Sequence, residues 1–325
     1  MSGWSAWIAL SFLGCVAGTW LARRYALGRN LLDQPGQRRN HEVATPRGGG
    51  VAIVAVLLAA SAWMAMAWPG QRLQLAGFAS GLALVAGIGW WDDHRPLSPW
   101  LRLAVHVVAG SFLAGFVFMQ SGSWLGALVA WGLIVSMTNI WNFMDGINGL
   151  AASQAVLCMI PLAAILAGPW QWVCVAAMAA ILGFLPFNFP RARIFLGDVG
   201  SGALGFVLAW LLVAAFVAAE SPWPLLMPFA AFLVDAGLTL LSRVLNGERW
   251  WTPHSQHLYQ QLLHCAYGHA GVTSAYGIFT IIAVGLCWFS MPSAWSGVWA
   301  ITWFVFTSLV WWVMRNGCAK HMRQQ

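Results

Sequence analysis

Asp92 and Asp93 stand side by side in the run WDDHRPLS, in a chain of 325 residues that holds only nine Asp and Glu. Adjacent carboxylates repel one another and are costly beside apolar segments unless a cation is near. No Lys accompanies them, so a hard divalent metal is the natural balance. Mg²⁺ takes oxygen ligands, usually one or two carboxylates with phosphates filling the rest, whereas Zn²⁺ would want a tight His and Cys set. Two further runs carry the same donors. NIWNFMDGINGL, residues 139–150, places Asn139, Asn142, Asp145 and Asn148 three apart, which in a helix puts all four on one stripe. GDVGSG, residues 197–202, holds Asp198 just before an apolar segment. Its backbone N–H groups and the helix N-terminus predict an anion seat, and Gly permits close approach of a phosphate. His254 and His257, also three apart, could bridge phosphate oxygens or bind metal. The Asp and Asn donors favour Mg²⁺, with Mn²⁺ as a substitute.

The elements that must position these residues are membrane helices. Sixty per cent of the residues are hydrophobic and 8% charged, against roughly a quarter charged in soluble domains. Eleven apolar segments are expected to span, at 4–22, 48–68, 74–91, 101–119, 123–138, 151–167, 169–187, 202–219, 223–245, 271–290 and 293–314. They read as α-helices, because lipid offers unpaired backbone groups no partner and strand alternation is absent. The fold class is therefore all-α and polytopic, a single transmembrane domain over residues 1–325.

Basic residues mark the cytoplasmic side of a bilayer. With loops numbered alternately, fifteen of the sixteen Arg and Lys fall on one side, and only Arg72 falls on the other. The N-terminus is thus expected outside and the C-terminus in the cytoplasm. The opening Met-Ser-Gly-Trp lacks a basic n-region, so the first helix is expected to be retained. Six Cys without a CxxC pair read as small apolar core residues.

Most acidic residues share the basic side. The exceptions are Glu220, on the outer side, and Asp235, inside the ninth span about 12 Å from its inner end at 1.5 Å per residue. Asp235 is either a carboxylate satisfied by neighbouring helices or a support for a site, while His106 reads as a core histidine. A transporter or lipid flippase would set ionisable groups along a path near the midplane. Here the midplane is nearly empty, and the polar motifs gather in loops 23–50, 92–102, 139–150, 188–201 and 246–270.

In order, the motifs are DQPGQRRNHEVATPRGGG, WDD, NIWNFMDGINGLA, FNFPRARIFLGDVGS and HSQH. This set resembles the polyprenyl-phosphate N-acetylhexosamine-1-phosphate transferases, over about residues 33–270. The resemblance implies that undecaprenyl phosphate attacks the β-phosphorus of a UDP-sugar, giving undecaprenyl-diphospho-sugar and UMP. It implies that Asp198 holds Mg²⁺ and that Asp92 and Asp93 position or deprotonate the lipid phosphate. Asn188 and Phe195 would lie in a uridine pocket, and Asn139, Asn142, Asp145 and Asn148 would line the nucleotide-sugar site. His254 and His257 would meet phosphates, and Thr45 and Arg47 would bind substrate from the basic segment. The family's DGxDG is DGINGL here, and Asn148 can be neither a base nor an anionic ligand. That change and HSQH are more similar to the O-antigen-initiating members, with UDP-N-acetyl-fucosamine, -quinovosamine or -glucosamine as donors. The implied setting is the bacterial inner membrane, with the active site facing the cytoplasm, membrane lipids around it and a homodimer allowed. No nucleic-acid partner is expected.

Overall fold

A computed structural model describes residues 2–34, 43–249, 251–252, 254–265 and 267–324. Arg38, Arg39 and Glu42 of the basic segment lie outside the described residues. In chain order the elements are α1 (Ser2–Gly28), β1 (Leu32–Asp33), β2 (Thr45–Pro46), α2 (Val51–Ala67), α3 (Arg72–His94), α4 (Pro99–Ser121), α5 (Trp124–Phe143), α6 (Leu150–Ile165), α7 (Gly168–Asn188), α8 (Asp198–Ala218), α9 (Ala230–Leu245), α10 (Leu258–His264), α11 (His269–Ser290) and α12 (Ser296–Gln324). Short 3-10 turns occupy Pro69–Gln71 and Trp223–Phe229, the second running directly into α9. The all-α expectation needs one amendment. Leu32–Asp33 pairs antiparallel with Thr45–Pro46, a two-residue ladder that closes the basic segment.

Nine helices among the described residues are long and apolar enough to cross a membrane. The second and sixth expected spans are shorter, with 17 residues in Val51–Ala67 and 16 in Leu150–Ile165. At 1.5 Å per residue they extend about 24–26 Å, below a typical hydrocarbon thickness of about 30 Å. Proline starts several helices where its missing N–H costs nothing. Pro99 opens α4 after Ser98, and Pro169 lies in the first turn of α7.

The bundle is built around α8. Of its most apolar window 72% is buried by protein, against 17% for the first helix and 22% for the last. Helices in lipid gain no hydrophobic driving force from one another, so close packing must hold them, and small residues permit it. A β-carbon on Gly50 would lie 2.2 Å from Gly200 Cα, and one on Gly89 would lie 2.4 Å from the Asp198 carbonyl oxygen. The start of α2, the end of α3 and the start of α8 therefore meet backbone against backbone. The contact is reinforced by Phe195 N to Pro46 O at 2.7 Å, Gly49 N to Phe195 O at 2.9 Å and Gly50 N to Leu196 O at 2.8 Å. The described residues of the polar motifs reach this same end of the bundle.

Candidate active site

Asp198, the first residue of α8, joins three helices. Its Oδ1 accepts from Asn142 Nδ2 at 3.0 Å, and Asn142 also donates to Ser201 Oγ at 3.0 Å. Its Oδ2 accepts from Arg102 Nη1 at 2.7 Å, and that same nitrogen donates to Asp92 Oδ2 at 2.9 Å. The Leu97 N–H donates to Asp92 Oδ1 at 2.6 Å, which folds the α3–α4 turn back and delivers Arg102 to the carboxylates. The cation that the sequence seemed to lack is thus a guanidinium from the first turn of α4.

Asp93 does something different from its neighbour. It is 2% exposed, and its two oxygens accept from Asp198 N at 3.1 Å and Val199 N at 3.2 Å. The N–H groups of Gly200 and Ser201 bond the Gly197 carbonyl at 3.0 Å each. The expected phosphate seat at the start of α8 is therefore filled by Asp93, because a carboxylate satisfies the orphan N–H groups and the helix dipole as a phosphate would. Gly197 makes room for it. Its φ is +75°, and a β-carbon there would fall 2.5 Å from Asp93 Oδ2. Arg47 approaches from β2 with Nε 4.0 Å from Asp93 Oδ1, and that nitrogen is buried without a hydrogen-bond partner. Thr45 is buried and its hydroxyl donates to the Val43 carbonyl at 2.9 Å, so it shapes the turn.

The expected four-residue stripe is only half helical, since α5 ends at Phe143. Asn142 reaches the carboxylates. Asn139 turns away, donating to His106 Nδ1 at 3.2 Å and the Val135 carbonyl at 2.7 Å. Asp145 and Asn148 lie in the turn beyond the helix. Asp145 is half-buried; desolvation, then the charges of Asp198 and Asp93, push its carboxyl well above the ordinary range. Asn148 donates its amide to the Pro190 carbonyl at 3.1 Å and its N–H to His269 Nδ1 at 3.3 Å. Asn188 is buried, with Oδ1 accepting from Gly149 N at 2.7 Å and Nδ2 donating to Ile194 O at 3.0 Å. Its amide clamps two backbones together instead of facing a base. Phe195, half-buried on the same segment, keeps a partly open ring.

His254 and His257 belong to the segment before α10, with ring centroids 4.9 Å apart. His257 is buried and His254 half-buried. Burial lowers both pKa values, His254 to about 4, with the neighbouring His257 and Arg243 acting in the same direction. Glu248 accepts from Arg243 Nε and Gln256 Nε2, each at 2.9 Å, and so ties this segment to α9.

Arg102 and Ser201 are the members that motif reading passed over. Arg102 counted only toward topology, although its place in the first turn after WDDHRPLS is a usable signal once that turn is taken to reverse the chain. Among the described residues no three His, Cys, Asp or Glu gather closely enough to hold a metal by themselves. Asp198 with Asp92 instead forms an all-oxygen pair of the kind that leaves most of a hard cation's ligands to phosphate and water.

Residues 75–216, the stretch that holds Asp92, Arg102, Asn142 and Asp198, match the profile of glycosyl transferase family 4. The chain is similar to that family over this stretch. Its similarity extends beyond the matched stretch. It is 28% identical over 291 residues to the decaprenyl-phosphate N-acetylglucosaminephosphotransferase of Mycobacterium leprae, covering 73% of this chain and 71% of the relative. The probable undecaprenyl-phosphate N-acetylglucosaminyl 1-phosphate transferase of Bacillus subtilis is 26% identical over 285 residues, covering 80% and 77%. The undecaprenyl-phosphate alpha-N-acetylglucosaminyl 1-phosphate transferase of Yersinia pestis is 27% identical over 306 residues, covering 84% and 79%. Arg47, His254 and His257 lie outside the profile match, Arg47 on its N-terminal side and the two histidines on its C-terminal side.

Proposed function

We propose that the protein transfers a HexNAc-1-phosphate from a UDP-sugar to undecaprenyl phosphate, giving undecaprenyl-diphospho-sugar and UMP, and so initiates O-antigen or a related envelope polysaccharide. The observation that carries this reading is the Asp92–Arg102–Asp198–Asn142 cluster at one end of a membrane bundle. A lipid phosphate meeting a diphosphate brings like charges together, and this cluster supplies a guanidinium, amide donors and an oxygen pair for a cation. Asp198, with Asp92 beside it, would hold Mg²⁺ or Mn²⁺. When bound, such an ion neutralises phosphate oxygens and helps to align them. A lipid-transporter reading draws no comparable support. The two midplane groups, His106 and Asp235, are buried and bonded within the bundle.

The proposed route is direct attack. An oxygen of the lipid phosphate bonds to the β-phosphorus, the bridging bond to the α-phosphate breaks, and its electron pair leaves with UMP. Asp92, Asp93 and Asp198 are each engaged by donors, and burial with the nearby carboxylates disfavours the charged form of Asp145. An anionic phosphate oxygen needs orientation more than covalent activation. Radiolabelled UMP should therefore exchange into UDP-sugar only when lipid-linked product is present. Robust exchange by lipid-stripped enzyme would establish a covalent intermediate and make Asp145 its leading carrier.

The overall assignment is tested by incubating purified protein with undecaprenyl phosphate, Mg²⁺ and separate UDP-HexNAc donors, of the fucosamine, quinovosamine and glucosamine types, and weighing the lipid product. No mass increase with any donor would overturn it. Cytoplasmic placement predicts that a cysteine at Ser121 or Ser293 is labelled by an impermeant thiol reagent from outside, while one at Ser98 or Ser255 is not. External labelling at 255 would reverse the orientation.

A further inference from the structure

Asp235, Thr239 and Arg243 recur every fourth residue along α9, and all three are buried on the face turned into the bundle. Asp235 is 1% exposed, and among the described residues the one basic nitrogen within 4.0 Å of it is His257 Nδ1, at 3.9 Å. A lone carboxylate in such surroundings must be satisfied by donors. Leu258 N at 2.7 Å, Trp311 Nε1 at 3.1 Å and Thr239 Oγ1 at 3.3 Å reach Oδ1. Tyr276 Oη at 2.9 Å and Tyr259 N at 3.3 Å reach Oδ2. One carboxylate thus gathers α9, α10, α11 and α12, and its two backbone donors are the residues that follow His257.

The histidine is held from its other side as well. Its ring lies near-parallel to Phe143 at 6.3 Å and to Tyr259 at 5.9 Å. Tyr259 Oη donates to the Phe143 carbonyl at 3.0 Å, and any β-carbon on Gly146 would collide with that hydroxyl. Phe143 directly follows Asn142, which binds Asp198. His257 Nδ1 is buried without a hydrogen-bond partner.

We propose that Asp235 is a positioning residue for the transfer reaction. It fixes the start of α10 and faces His257 Nδ1, so that the neutral ring carries its proton on Nδ1 and leaves Nε2 as an acceptor for the proton of a P–OH group on a substrate phosphate. The role in transfer rests on the function proposed above, whereas the tautomer does not. A carboxylate beside one ring nitrogen selects the tautomer protonated there, as in the carboxylate–histidine pairs that orient metal ligands. The other charged or titratable groups around the ring are Arg243 of α9, Arg315 of α12 and His254 of its own segment.

The first test uses full-length protein in detergent with ¹⁵N-labelled histidine rings, the His257 signals being assigned by their loss in His257→Gln. Wild type should show the Nδ1–H tautomer. Asp235→Asn should shift it toward Nε2–H and move protonation to lower pH, because a negative charge that favours the cation is gone. An Nε2–H ring in wild type, or unchanged signals in a folded Asp235→Asn, would overturn the proposal whatever the transfer activity. Trp311→Phe removes another donor to the same oxygen without touching the ring. It should keep the wild-type tautomer, and a shift as large as that of Asp235→Asn would reduce the effect to packing. In the transfer assay Asp235→Asn should lower kcat at least about tenfold with KM nearly unchanged. In the His257→Gln background it should add no further loss, and additive losses would separate the two residues. If the wild type transfers nothing, the reading of function fails while the tautomer remains to be judged on its own spectrum.

Discussion

Asp198→Asn should abolish transfer while leaving a folded protein in detergent. The carboxylate accepts from Arg102 at one oxygen and from Asn142 at the other. An amide keeps its shape but must turn its NH₂ toward one of those two donors, and it loses the charge that a divalent ion requires. Stability should fall by about 1 kcal/mol, the scale of a lost partly exposed hydrogen bond. Turnover should fall by about 10³-fold or more, since charge stabilisation at a phosphoryl centre accounts for most of the acceleration. UMP release and thermal melting on the same preparation separate the two effects. Turnover near that of wild type would remove Asp198 from the proposed metal site.

Arg102→Gln carries the second largest expected loss, about 10²- to 10³-fold in kcat, the range for one preorganised donor at developing charge. A single nitrogen, Nη1, lies 2.7 Å from Asp198 and 2.9 Å from Asp92, so without it two carboxylates face each other uncompensated. The Mg²⁺ concentration for half-maximal activity should also fall, because the guanidinium no longer competes for those oxygens. Because one nitrogen makes both bonds, Arg102→Lys should recover much of the activity. Equal losses for Lys and Gln would mean that the planar fork matters beyond its charge, and a Gln variant within threefold of wild type would take Arg102 out of the site.

The membrane helices were legible because lipid imposes one rule on every residue of a span, and a run such as 202–219 satisfies it without reference to any other part of the chain. The gathering of the motifs was legible for a similar reason, since alternation of spans forces loops onto two sides. What each polar residue does there was not. Asp92 and Asp93 are identical in type and adjacent, yet in a helix they point about 100° apart, and only packing decides that one meets Arg102 while the other meets the start of α8. Asn139 and Asn188 read as ligands by type, but an amide serves equally well as a backbone clamp, and both are engaged inside the protein. The helix α2 is shorter than its expected span because the turn at Gly48–Gly50 claims residues that hydropathy alone assigns to it, whereas α6 starts one residue before its expected span, at Leu150, and stops two residues short of its end, at Ile165.

The glycine contacts at the start of α2, the end of α3 and the start of α8 have a mechanical consequence. Where backbones touch, there is no side chain whose rotamer can change, and three helix ends behave as one stiff block. Asp92, Asp93 and Asp198 are mounted on that block and keep their spacing as it moves. In the proposed reaction, adjustment to a bulky lipid is therefore left to pieces mounted elsewhere: the Arg102 side chain, the turn through Asp145, and the segment that leads into α10.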